Sequence, residues 1–236
     1  MNKLKLTSAQ LPMYTMTLPV SGLVAKYRPF VVKEEKVLLV AAQSGDMNQI
    51  VDAMRNIISA CTQGMVDTKK LCTADAEYAF LQIRMKSVGE EVKPQITCSK
   101  CQHKTNIKIN LADVKVKRVE KENIDSTVTI SDSLSLILKY PSMHDIDYSK
   151  SEVDAIFGVA KDCIDAVVLN DEVHKKEDID PKELADFVDN LLPDQFEKIM
   201  QYVKTTPELH YAFKYNCPSC KEKVELEVKS VADFFQ

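Results

Sequence analysis

Glycine is scarce in this chain: five residues in 236, about 2% against the roughly 7% of average usage. They stand singly at Gly22, Gly45, Gly64, Gly89 and Gly158, and no two form a GxG pair. A Rossmann fingerprint, a P-loop and a GxSxG nucleophile elbow all need clustered glycines, to bring bare backbone against a phosphate or to turn sharply, so each is excluded. Histidine is also sparse. His103, His144, His174 and His210 fall in different expected elements and there is no HExxH, so no general base or zinc-protease site is assembled. Charge of one sign is missing too: 31 Lys and Arg stand against 35 Asp and Glu, a net charge of -4. Nothing draws the whole chain to a phosphate backbone or an anionic membrane. Long apolar runs are absent. The longest uncharged stretch, Leu6 to Ala25, follows Lys3 and Lys5 like a signal peptide, but Pro12 and Pro19 break it and Thr7, Ser8, Gln10, Thr15 and Thr17 dilute it. No membrane insertion is expected. Without an export signal the seven cysteines should meet a reducing cytoplasm, where paired thiols serve metals more often than disulfides.

What is present has a readable order. Residues 1 to 33 are rich in Thr, Pro and aliphatics without helical period, which reads as an extended arm or edge strand ending in Tyr27-Arg28-Pro29-Phe30. Glu34 and Glu35 favour a helix start, and the apolar run Val37 to Ala42 follows. Ser44-Gly45-Asp46 stops that helix and caps the next, whose Met47, Ile50, Val51, Met54, Ile57, Ile58 and Cys61 make an amphipathic stripe. A third helix is expected from Thr73 to Val88, stopped by Gly89. The period then changes to two through Ile107, Ile109, Leu111, Val114, Val116, Val128, Ile130, Leu134, Leu136 and Leu138, as in antiparallel strands with one wet face. Helices return after Pro141. One is read through Val153, Ile156, Phe157, Ala160, Ile164, Val167 and Val168; another begins at Asp180-Pro181 with Glu183, and a third carries Phe196, Ile199, Met200 and Val203. Strands close the chain from Glu208. With no βαβ alternation the fold class is α+β, with helical N-terminal and central segments and an antiparallel β region.

One internal repeat carries chemistry. Residues 96 to 109 and 215 to 228 share the order strand, CxxC turn, Lys three residues on, strand. Each CxxC turn points two thiolates into one concavity, and two such turns facing each other supply the tetrahedron of sulfurs that Zn²⁺ takes. Cys98, Cys101, Cys217 and Cys220 are therefore the expected ligands of one structural zinc per chain, closing the β region as a split zinc ribbon. Four sulfurs leave no open position for hydrolysis. Two rival readings use the same residues. A nucleic-acid or transcription module would exploit Lys100, Lys104, Lys221 and Lys223, although Glu222, Glu225 and Glu227 dilute that patch. A thiol oxidoreductase would use each CxxC separately, but such a motif opens a helix after a strand, whereas both turns here lie between strands. Cys61 and Cys163 fall on apolar helix faces and read as buried small hydrophobes. Four segments follow from this organisation: 1–91, an arm and helices; 92–140, the first CxxC hairpin and strands; 141–206, helices; and 207–236, the second hairpin packing on the first, with 92–236 as one compact unit.

Leu18-Pro19-Val20-Ser21-Gly22 and the run Tyr27-Arg28-Pro29-Phe30-Val31-Val32-Lys33-Glu34-Glu35-Lys36-Val37-Leu38-Leu39 through Ser44-Gly45-Asp46 resemble the opening of the T4-type bacteriophage baseplate protein family, densely over residues 11 to 61. The resemblance implies a non-enzymatic structural or assembly protein of a contractile-tail baseplate hub, with other hub or tail assembly proteins as partners and no small-molecule substrate. It places the chain in the host cytoplasm during assembly and on the virion tail. Arg28 and Phe30 are candidate partner-binding residues because arginine and aromatics are enriched among interface hot spots, and Glu34, Glu35 and Lys36 beside them are partner-binding candidates too.

Overall fold

A computed structural model describes residues 11–118, 125–146, 149 and 151–231. The chain opens with a hairpin, β1 (Tyr14–Thr17) and β2 (Val24–Tyr27), paired antiparallel with Tyr14 opposite Tyr27. Alternation sends Met16, Ala25 and Tyr27 inward and Thr15, Thr17 and Lys26 outward. Of the segment read as an extended arm or edge strand, residues 11–33 thus fold back on the helices that follow, and residues 1–10 lie outside the described residues. Those are α1 (Val32–Ser44), α2 (Met47–Cys61) and α3 (Thr73–Val88). Gly45 ends α1 at φ 68°, a left-handed position that suits glycine, and Asp46 caps α2 by accepting from the Asn48 amide at 2.9 Å.

Short antiparallel pairs follow: β3 (Glu91–Val92) with β6 (Ile109–Asn110), and β4 (Gln95–Thr97) with β5 (Lys104–Asn106). Strand β7 (Lys115–Lys117) joins β12 (Glu208–Asn216), which also pairs with β13 (Lys223–Val228), so a three-stranded sheet unites the middle of the chain with its end. A four-stranded sheet holds β8 (Thr127–Ser131), β9 (Leu134–Leu138), β10 (Ile164–Leu169) and β11 (Glu172–Lys175) in the order β11-β10-β9-β8. Helices α4 (Glu152–Asp162), α5 (Pro181–Asp189) and α6 (Pro193–Val203) complete the set. The α+β class stands.

One expectation needs correction. The helical stripe drawn through Ile164, Val167 and Val168 ends at Asp162, and those three residues belong to β10 instead. Two β-branched residues in succession suit a pleated surface, and Asn170 and Asp171 follow at φ 50° and 65°, the pair of left-handed residues that a tight hairpin to β11 demands. The spacing of apolar residues fitted a helix there, but turn chemistry and pairing with β9 decide the outcome.

Apolar side chains gather into two cores. The first joins the hairpin, α1 to α3, Val92, Ile109, Leu111, Val114, Leu209 and Val228; the second joins Ile130, Leu136, Leu138, Ala160, Ile164, Leu184, Val188, Ile199 and Tyr202. The first core draws residues from both sides of position 91 and from the last strands, so it cuts across the four sequence segments. Among the described residues no helix is long and apolar enough to cross a membrane.

Candidate metal centre

The two CxxC turns are built alike. In the first, the Cys98 amide donates to the His103 carbonyl and the Gln102 amide to the Cys98 carbonyl, each at 2.9 Å. In the second, the Cys217 amide donates to the Glu222 carbonyl at 2.8 Å and the Lys221 amide to the Cys217 carbonyl at 2.9 Å. Gln102 and Lys221 occupy the same place and both are left-handed, at φ 59° and 62°. Flanking strands fix the turns: β4 and β5 hold the first, β12 and β13 the second.

These knuckles meet. Cys98 Sγ lies 3.8 Å from Cys220 Sγ and Cys101 Sγ lies 3.6 Å from Cys217 Sγ, and all four sulfurs fall within 4.8 Å of one another. A disulfide needs about 2.05 Å, so none is formed. A tetrahedron with Zn–S bonds of about 2.3 Å has S···S edges of about 3.8 Å, close to the two cross-knuckle distances of 3.8 and 3.6 Å. The donor set therefore fits a thiophilic ion, and among the described residues it is the one cluster of its kind. Cys98 and Cys217 are buried, Cys220 half-buried and Cys101 exposed. The amides of Cys220 and Ser219 donate to the Cys217 sulfur and, with the neighbouring thiols, pull its pKa down to about 6. The Glu222 amide acts in the same direction on Cys220, but burial and the three surrounding sulfurs outweigh it and push that thiol up to about 12. Across the knuckles Lys100 Nζ meets Glu222 Oε2 at 2.6 Å, an exposed pair.

The remaining cysteines stand outside the cluster. Burial pushes Cys61 and Cys72 up to about 11 and Cys163 up to about 12, which suppresses the reactive thiolate. His103, adjacent to the first knuckle, is exposed and stands outside the sulfur cluster.

The residues considered as partner anchors are placed differently from one another. Arg28 grips Glu34 through two bonds of 2.6 and 2.9 Å, with side chains only 17% and 12% exposed, and Glu34 also accepts from the Val31 amide at 2.8 Å. Phe30 is buried in the first core. Glu35 is half-buried and Lys36 exposed on α1. Arg28, Phe30 and Glu34 therefore fasten α1 to the hairpin and do not face solvent squarely. The Leu18–Gly22 turn is likewise held from within. Both oxygens of the buried Asp75 accept backbone amides, from Val20 and Ser21, at 2.8 Å each, and the Arg118 guanidinium donates to the Pro19 carbonyl. Asp75 and Arg118 escaped sequence reasoning; an acid in the first turn of α3 carries no mark of the distant loop that it binds.

The fold and site define an α+β protein with two cores and one tetrathiol centre that joins remote segments. A family model described as T4 bacteriophage base plate protein matches residues 11–236, and the chain belongs to that family. No curated protein and no solved structure matches it significantly.

Proposed function

We infer that this chain is a structural or assembly protein of the baseplate hub of a contractile phage tail, acting by docking to other hub or tail proteins and stabilised by one zinc on Cys98, Cys101, Cys217 and Cys220. The observation that carries the docking role is the match of a baseplate family over residues 11–236. The convergence of four sulfurs within 4.8 Å of one another supports the metal. A closed tetrathiolate set offers no site for a substrate, so the ion would hold the two knuckles together and do no chemistry. Such a role places the chain in the host cytoplasm while tails are built and in the virion tail if it is retained. The docking surface includes the exposed Lys36 and the neighbouring outer side of α1, with Glu35 at its margin; Arg28, Phe30 and Glu34 would support that helix from beneath.

Neither rival is favoured. Around the knuckles Lys100 is paired with Glu222 and Lys214 with Glu225, which leaves a mixed surface and no phosphate track. The thiols converge in one cluster and do not form two separate redox sites. Tagged chain purified from infected cells tests the assignment: it should comigrate with hub and tail intermediates, and consistent absence from both would overturn it.

A further inference from the structure

Helix α1 is apolar on more sides than its fold covers. Leu38 and Ala41 are buried, whereas Val32, Val37, Leu39 and Val40 are 79%, 51%, 56% and 57% exposed. A helix that is apolar nearly all round belongs inside a larger body. Lys33 and Lys36 share the outer side, while Glu34 is turned onto Arg28. Glu35 is half-buried at its margin, so that side is apolar and carries two lysines against one acid.

A second uncovered apolar face lies on the other core. Val153, Ile156 and Phe157, spaced to share one side of α4, are exposed, as is Leu192 at the start of α6. Phe157 stacks on Phe196 at 4.7 Å and walls a cleft of about 310 Å³ with Asp154, Gly158, Lys161, Val188 and Asp189. Acids surround it. Residues 151–203 hold 14 Asp and Glu against 5 Lys, whereas residues 11–118 hold 16 Lys and Arg against 10 acids. A near-neutral chain therefore divides into a positive and a negative half, each with an uncovered apolar face.

We propose that these faces fit each other between copies: the outer side of α1 in one molecule docks on the α4–α6 face of the next. Leu39 and Val40 cover Phe157, while Lys33 and Lys36 face Asp154 and Asp189. Pairing α1 with α1 would bring lysines together, and pairing α4 with α4 would bring carboxylates together; only the mixed contact joins opposite signs. Because the two faces differ, the contact is heterologous. It repeats head to tail and closes into a ring if the rotation permits, or extends as an open chain. The contact needs no metal, but it takes the outer side of α1 that the reading above gives to docking, with a second copy of the chain as its occupant; a failed self-contact would leave docking to other tail proteins untouched.

The test is the oligomeric state of the purified full chain, by analytical ultracentrifugation over a concentration series. The wild type should assemble beyond the monomer, and the apparent dissociation constant should rise at least about tenfold between roughly 0.05 and 0.5 M salt, as screening removes the charge attraction. L39D/V40D and F157D each lose one face and should be monomeric alone; mixed, they should form a dimer and stop, because one intact face of each remains. Since F157D also disturbs the stack on Phe196, a charge exchange gives a second readout. K33E/K36E should lose assembly, and mixing it with D154K/D189K should restore it. A wild type monomeric at every concentration, an oligomer indifferent to both face variants, or mixtures that fail to associate would each overturn the proposal.

Discussion

The N-terminal hairpin and the paired knuckles both fasten segments remote in sequence, by opposite means. Residues Met16, Leu18, Ala25 and Tyr27 of the hairpin enter the first core, and Asp75, Arg118 and the Arg28–Glu34 pair then lock its turn and exit. Strands β4 and β5 beside the first knuckle bury no residue fully; what lies buried at the meeting point is Cys98 and Cys217. A region held by apolar area needs no ligand. One whose inside is sulfur depends on what the sulfurs bind, because the free energy of metal binding becomes folding free energy there.

The sharpest way to break this contrast is to withdraw the ion proposed for the four sulfurs. Chelation under reducing conditions should deprotect amides of residues 95–106 and 215–224 in hydrogen exchange, by orders of magnitude, while α2 and α3 keep their protection; equal loss in both regions would erase the distinction. Next in size is Asp75→Asn, which replaces an oxygen that accepts a turn amide with an NH₂ group. It should cost about 2 to 3 kcal/mol in denaturant unfolding and free the 18–22 turn, leaving the metal content unchanged.

Glu34→Gln should cost less, about 1 to 2 kcal/mol near neutral pH. The Arg28 hydrogen bonds, aided by the Val31 amide, hold the Glu34 carboxyl below the usual carboxylate range against the opposing effect of burial. Its folded pKa is depressed, so its contribution is complete above the unfolded value of about 4.3 and disappears as pH falls through the lower folded value. The variant should therefore show a flatter loss of stability in acid than the wild type. Smallest is Glu222→Gln: loss of the exposed pair with Lys100 should shift melting by at most a few degrees.

Local chemistry was the legible part of this molecule. Asp46 declared a helix start, Gly45 a stop, and the two CxxC turns announced a shared centre, because each signal is complete within a few residues. The α+β class followed from changes of apolar period. Where two periods fit the same residues, as at Ile164 to Val168, spacing could not choose, and the Asn170–Asp171 turn was the better sign. Long-range polar contacts left no trace: Asp75 resembles any first-turn acid, and Arg118 any basic residue on a wet strand. For Arg28 and Phe30 composition pointed outward, yet a carboxylate six residues away and an open core position turned them in.

Elemental analysis of the purified chain and its single-cysteine variants bears most directly on the claim that two distant knuckles form one centre. The account predicts about one zinc per wild-type chain, and its loss in Cys98→Ser and in Cys217→Ser alike, since each variant breaks the shared tetrahedron. Full metal retention in both variants, or two ions per chain with each variant losing only one, would contradict it.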